Sequence, residues 1–99
     1  MSLNSKQIRY LRKQAHALKP VVIVGQHGIT DSLVEEIDLA LERHELIKIR
    51  VNASDREARK TMIDEICQRS RSELIQSVGH VASIFRRRLN KPTRFTLPS

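Results

Sequence analysis

The sequence is short of cysteine, aromatic residues and long apolar runs, and each shortage removes a class of protein. Cys67 is the one cysteine. A lone thiol closes no intramolecular disulfide and completes no multi-cysteine zinc site, so a disulfide-stapled scaffold is excluded and a reducing, cytoplasmic setting is expected. Tryptophan is absent, and Tyr10, Phe85 and Phe95 are the only aromatic residues. They are too few and too scattered for the stacking platform of RRM sheets and many single-strand binders. The purest apolar run, Val21 to Val24, is far below the ~18 residues needed to cross a bilayer. The first residues show no apolar stretch after a basic one, so neither a secretory leader nor membrane association is expected.

What remains is a chain of 99 residues, 39% hydrophobic and 29% charged. That length fits one domain, 1–99, with a modest core and no repeat, linker or low-complexity segment. Eighteen Lys and Arg against eleven Asp and Glu leave +7, which makes nucleic acid the default partner. The charge is polarised. Lys6, Arg9, Arg12, Lys13 and Lys19 fall in residues 1–20 with no acid, and Arg86, Arg87, Arg88, Lys91 and Arg94 fall in residues 81–99, again with none. Every acid lies between them, and residues 21–80 carry −3. Both termini are therefore expected to build one basic surface.

Ile8, Leu11, Ala15 and Leu18 recur at helical spacing behind a cap at Asn4 or Ser5, and Pro20 ends the segment. Lys6, Arg9, Lys13 and His16 cluster on the opposite side of that helix, with Arg12 at the flank. Val21 to Val24, between Pro20 and Gly25, reads as a buried strand. Leu33, Ile37, Ala40, Leu41 and His44 mark a second helix entered through Thr30 or Asp31, with Glu35, Glu36, Asp38 and Glu42 on an acidic solvent side. Leu46 to Val51 alternates, Ile47, Ile49 and Val51 facing the core and Lys48 and Arg50 facing away. Ser54 to Glu57 has the spacing of a capping box. A third helix follows, burying Ala58, Met62, Ile63, Ile66 and Cys67. Leu74 to Val78 and Val81 to Arg86 form a hairpin through Gly79-His80, where a leading glycine suits a type II′ turn. The expected fold is a two-layer α/β domain of order α-β-α-β-α-β-β. Its four-stranded sheet is mixed, because both β-α-β connections need crossovers, and its helices lie mainly on one face.

The sharpest local motif is Gly25-Gln26-His27-Gly28, where the first strand turns into the second helix. Such a turn brings backbone amides and a helix start close to a phosphate, the device by which KH domains clamp an RNA backbone. A tight strand-to-helix turn alone also uses glycines, and Asp31, Glu35 and Glu36 argue against a deep phosphate pocket. No Gly-Lys-Ser/Thr follows, so the turn is not a P-loop. His44 to Lys48 starts like a zinc-protease motif but has lysine where the second histidine must stand. Cys67 sits on an apolar stripe with no evident histidine partner and reads as core. His16 and His80 suit either RNA contacts or local hydrogen bonds. No catalytic constellation remains, so no enzyme, metal or cofactor is expected.

Four ordered stretches resemble the CRM domain of chloroplast RNA splicing and ribosome maturation proteins, above all its stand-alone bacterial YhbY-like branch. They are Leu11-Arg12 with Ala15 to Gly25, then Gly28 to Thr30, then His44 to Lys48, and finally Val78 to His80 with Ile84 to Arg86. The resemblance implies an α/β fold, RNA binding through the glycine loop and neighbouring basic surface, and ribosomal RNA in large-subunit precursors as target. It carries over Gly25, Gln26, His27 and Gly28 as loop residues and Arg12, Lys19 and Lys48 as basic contacts. Lys6, Arg9, Lys13, Arg86, Arg87 and Arg88 join them on grounds of charge. Many members have lysine in the loop, where this chain has Gln26 and His27, so affinity is expected to lean on the termini. A monomer is expected, with ribosomal-protein contacts as further partners. The competing reading is a protein adaptor whose acidic second helix meets a basic ribosomal protein.

Overall fold

The computed structural model describes residues 2–25, 27–88 and 91–99. Its elements are α1 (Ser5–Ala15), β1 (Pro20–Val24), α2 (Asp31–His44), β2 (Leu46–Val51), α3 (Arg56–Ser70), β3 (Glu73–Val78) and β4 (Val81–Phe85). This is the expected order. The strands form one mixed sheet, β1-β2-β4-β3, in which β1 runs parallel to β2 and the other neighbours are antiparallel.

Alternation along β2 determines how the layers stack. Ile47, Ile49 and Val51 join Val22, Val24, Ala82 and Ile84 on one face, where Leu33, Ile37 and Leu41 of α2 and Ile63 and Ile66 of α3 cover them. Leu46 points to the other face. There it packs with Ile75 and Phe85 beneath Leu11 and Ala15 of α1. Burying each such aliphatic side chain contributes about 1.5–3 kcal/mol, enough to seat a helix of eleven residues that would be marginal alone. Two helices thus share the expected face, whereas α1 forms a partial third layer on the opposite one. An irregularity in β3 between Leu74 and Gln76 turns Ile75 toward α1.

Several local expectations change for identifiable reasons. β1 is an edge strand covered on one face, so Val22 and Val24 are buried while Val21 and Ile23 are exposed. α1 stops at Ala15, which leaves Leu18 outside the helix and exposed. Asn4 caps α1, accepting from the Gln7 amide while the Gln7 side chain accepts from the Asn4 amide. Thr30 caps α2, but His44 is exposed at its last turn rather than part of the buried stripe. α3 starts one residue later than the capping-box spacing suggests: Asp55, not Ser54, accepts from the Ala58 amide at 3.0 Å, and Ala58 is exposed. Met62 and Cys67 are half-buried against the main core. In the hairpin, Gly79 alone has positive φ (+59°), the sign pattern of a type II′ turn. Leu74 on β3 is exposed.

Candidate nucleic-acid interface

The glycine loop follows directly from the last core residue of β1, Val24. Gly28 has φ +72°, and its N–H donates to the Gly25 carbonyl at 3.2 Å, closing the turn before Thr30 starts α2. Gly25 lies outside the left-handed region, and a Cβ at either glycine would meet nothing within 4 Å. Only Gly28 therefore needs glycine for its backbone, and both positions face open space. His27 is exposed, and Gln26 lies outside the described residues. Arg69 reaches across from the end of α3 to fix the loop's exit, donating to the Ile29 carbonyl at 3.2 Å and to Asp31 at 2.6 Å.

The basic residues of α1 stand at the other end of the sheet. Lys6, Arg9, Arg12 and Lys13 line an open groove with His16 and Gln76 of β3. Lys6, Arg9 and Lys13 are exposed, and Arg12 donates through Nε to the Ile75 carbonyl at 3.2 Å, pinning the helix to β3. No acidic residue precedes Asp31 in the sequence. Lys19 and Lys48 come together in a neighbouring hollow with Arg94 and His44. α1 packs where β2 begins and the glycine loop lies where β1 ends. With six residues in β2, these regions are about 17 Å apart along the strands.

The arginines after β4 behave differently. Arg86 donates through Nη1 to Asp38 and to the Ser70 carbonyl, both at 2.8 Å, and through Nη2 to the Asp38 carbonyl at 3.2 Å. Its Nη2 also lies 3.6 Å from Glu42, and its side chain is only 21% exposed. Arg88 caps the end of α2, donating to the carbonyls of Glu42 and Arg43 at 3.1 and 3.2 Å. Arg87 is half-buried beside them. The arginine run, expected on grounds of charge to contact RNA, is mostly a strap across the end of α2.

Glu45 anchors that strap. It ends α2 at φ 62°, and its fully buried carboxylate accepts from the backbone N–H groups of Arg88 and Arg94 and from the Thr93 hydroxyl. Burial alone would raise the Glu45 carboxyl, but the Arg94 and Arg88 amides, the Thr93 hydroxyl and the Arg88 charge hold it below its ordinary 4.5. From there the C-terminal segment turns back to α1: Phe95 and Leu97 pack in the cluster around Leu11, and Gln7 donates to the Pro98 carbonyl at 3.0 Å. The two basic ends do meet, with different duties.

Sequence reasoning missed Glu45 as an anchor because its neighbours Arg88, Thr93 and Arg94 lie more than forty residues away. It missed Arg50 as a candidate although the period-2 pattern had already put it beside Lys48. The acidic side of α2 is partly neutralised, since Asp38 and Glu42 face Arg86 and Asp31 faces Arg69. Glu35 and Glu36 stay exposed. His80 pairs with Arg59 at 3.4 Å. Burial raises the Cys67 thiol, helped by Asp64 against a hydrogen bond with Ser72, which leaves it a poor nucleophile. Among the described residues, no group of His, Cys, Asp and Glu could hold a metal ion, and no helix is long and apolar enough to cross a membrane.

Residues 3–86 match the model of the CRS1/YhbY (CRM) domain. The chain belongs to this family. A Pseudomonas aeruginosa protein named as a probable RNA-binding protein is 39% identical over 88% of this chain and 84% of its own length. An RNA-binding protein of Haemophilus influenzae is 38% identical over 86% of each chain. The solution structure of a hypothetical Staphylococcus aureus protein, itself a candidate RNA binder, superposes with TM-score 0.84 at 34% identity. It covers 98% of this chain and 100% of that one. The CRM-family chain and that structure thus share one α/β fold.

Proposed function

We propose that this CRM-family chain binds RNA and that its target is ribosomal RNA in precursors of the large ribosomal subunit. The observation that carries RNA binding is the exposed row Lys6, Arg9 and Lys13 on α1, in a stretch without any acidic residue before Asp31. Cations so placed neutralise phosphates and release condensed counterions, which supplies affinity without base sequence. The RNA-binding names of the relatives support the same reading. The ribosomal target rests on the family resemblance.

In this reading Lys6, Arg9, Arg12 and Lys13 hold one stretch of backbone, Lys19 and Lys48 extend the contact, and Gly25, Gln26, His27 and Gly28 receive a phosphate at the far end of the sheet. The Gly28 N–H is engaged in the turn, so other amides of the loop and helix start make that contact. Arg86 and Arg88 are left out because their guanidinium groups hold α2. With binding free energy as its only means, the protein acts by favouring one arrangement of an RNA segment until later contacts form. A protein adaptor built on α2 is less favoured, because Arg86 and Arg69 already face three of its acids.

Sedimentation of cell extracts tests the proposal. The protein should travel with large-subunit precursors at low salt, leave them at high salt and be scarce on translating ribosomes. Equal abundance on mature particles would make it a general RNA binder. Comigration that survives RNA digestion would establish the adaptor.

A further inference from the structure

The sheet face that α1 covers only in part carries a second ordered surface. Pairing places Gln76 beside Ser83 and Ser83 beside Lys48 in one cross-strand row. One step further from α1, Val78 stands beside Val81, Val81 beside Arg50 and Arg50 beside Ile23, a row that crosses all four strands. Alternation turns both rows away from the core under α2 and α3. Ile23 and Val78, at the two ends of the outer row, are 62% and 64% exposed, and Arg50 between them is exposed as well. Neither row contains a carboxylate.

Two parts of the fold border this platform, the glycine loop with the hairpin turn at one end and α1 at the other. Beyond the outer row, the Asn52 amide donates to Val24 just before the glycine loop, and the Val51 amide donates to His80 of the hairpin turn. On the near side stands α1 with Arg12 bonded to Ile75. The Arg50 Nε donates to Asn52 Oδ1 at 2.9 Å, which ties its guanidinium to the end of β2. Exposed aliphatic side chains beside the Arg50 guanidinium, on rows without a carboxylate and next to the cations of α1, suit a strand that turns its bases inward and its phosphates toward α1.

Resting on the RNA-binding reading above, we propose that the row Ile23, Arg50, Val81 and Val78 is the base-packing surface for a single RNA strand running between the glycine loop and α1. Bases stack on arginine planes as well as on aromatic rings, so a sheet without aromatics still offers such a surface. A duplex keeps its base faces stacked inside and gains nothing from an apolar row. Contact here is through base faces, so the preference it creates is for unpaired over paired RNA rather than for one sequence.

The test uses the full chain with labelled methyl groups, titrated with a short mixed-sequence single-stranded RNA and with a hairpin duplex of the same composition. Methyl signals of Ile23, Val78 and Val81 should move with the single strand and stay with the duplex. Ile23→Thr, Val78→Thr and Arg50→Lys should each keep the fold, since all three sites are exposed and threonine suits strands. Each should weaken single-strand binding about fivefold, the low end of a stacking contribution. Arg50→Lys keeps its charge, so its salt dependence should match wild type. Unchanged affinity in all three, while loss of the α1 cations abolishes binding, would overturn the platform and leave the RNA reading intact. Absence of any wild-type binding at low salt would overturn both. Duplex preference with still methyl signals would also overturn the platform.

Discussion

The two ends of the chain carry equal formal charge, yet the fold uses them in opposite ways. The N-terminal cations sit on the outer side of α1, held there because Leu11 and Ala15 are buried on the inner side. The C-terminal arginines 86 and 88 follow β4 past the end of α2, where carbonyl groups and the acids Asp38 and Glu42 draw them inward. Local charge density therefore says little about availability. What separates the two ends is the polarity of the nearest element: a sheet for α1, a helix C-terminus with its partial negative charge for the arginines.

Arg86→Ala should produce the largest effect if this contrast is right. It removes a partly buried guanidinium and leaves Asp38 and the Ser70 carbonyl without it. A loss of about 2 kcal/mol is expected in denaturant unfolding, on the scale of charged hydrogen bonds. RNA binding by the folded fraction should keep its salt slope.

Glu45→Gln probes the same region from the acid side and should cost less, because the amide keeps one acceptor oxygen. The strap should loosen, which faster tryptic cleavage at Arg94 at neutral pH would report. The folded Glu45 carboxyl lies below its ordinary 4.5, so it stabilises the fold above that pH, and the contribution is lost as pH falls through the folded value. Wild type should thus lose stability in that acid window, and Glu45→Gln should lose less there.

Gly28→Asp comes next. A side chain at φ +72° costs about 1 kcal/mol, softened by the tolerance of aspartate for that region, and the space around it is open. The variant should fold, bind RNA more weakly and fail to restore the precursor profile of cells lacking the protein. Gly25→Ala, outside the left-handed region and equally open, should leave stability unchanged, giving the smallest effect of the series. Unfolding of Gly28→Asp would assign the glycine to turn geometry alone.

The sequence made the element order legible because periodicities are short-range: four-residue spacing in α1 and α2, alternation in β2, glycines in the β1–α2 turn and the β3–β4 hairpin. The same alternation nearly revealed the third layer. Leu46 is an apolar residue on the side assigned to Lys48 and Arg50, but only the β3 irregularity at Ile75 and the pairing with Phe85 show that α1 must cover it. The candidate loop was readable from its glycines, and the α1 row from helical spacing. The duty of Arg86 and Arg88 was not, because Asp38, Ser70 and Glu45 are distant in sequence and contribute nothing to a local charge pattern. The burial of Glu45 was hidden for the same reason, since Arg88, Thr93 and Arg94, which hold its carboxylate, are just as distant.

The most direct test of this division compares the salt dependence of RNA affinity in wild type, in the triple variant Lys6→Gln, Arg9→Gln, Lys13→Gln, and in Arg86→Ala. On single strands each phosphate contact contributes about −0.7 to the log–log slope, so the triple variant should bind more weakly with a slope shallower by about 2. Its melting temperature should match wild type, while Arg86→Ala should show the reverse, an unchanged slope and a lower melting temperature. A triple variant with the wild-type slope, or an Arg86→Ala protein that keeps its stability and loses slope, would contradict the assignment of recognition to α1 and of structure to the C-terminal strap.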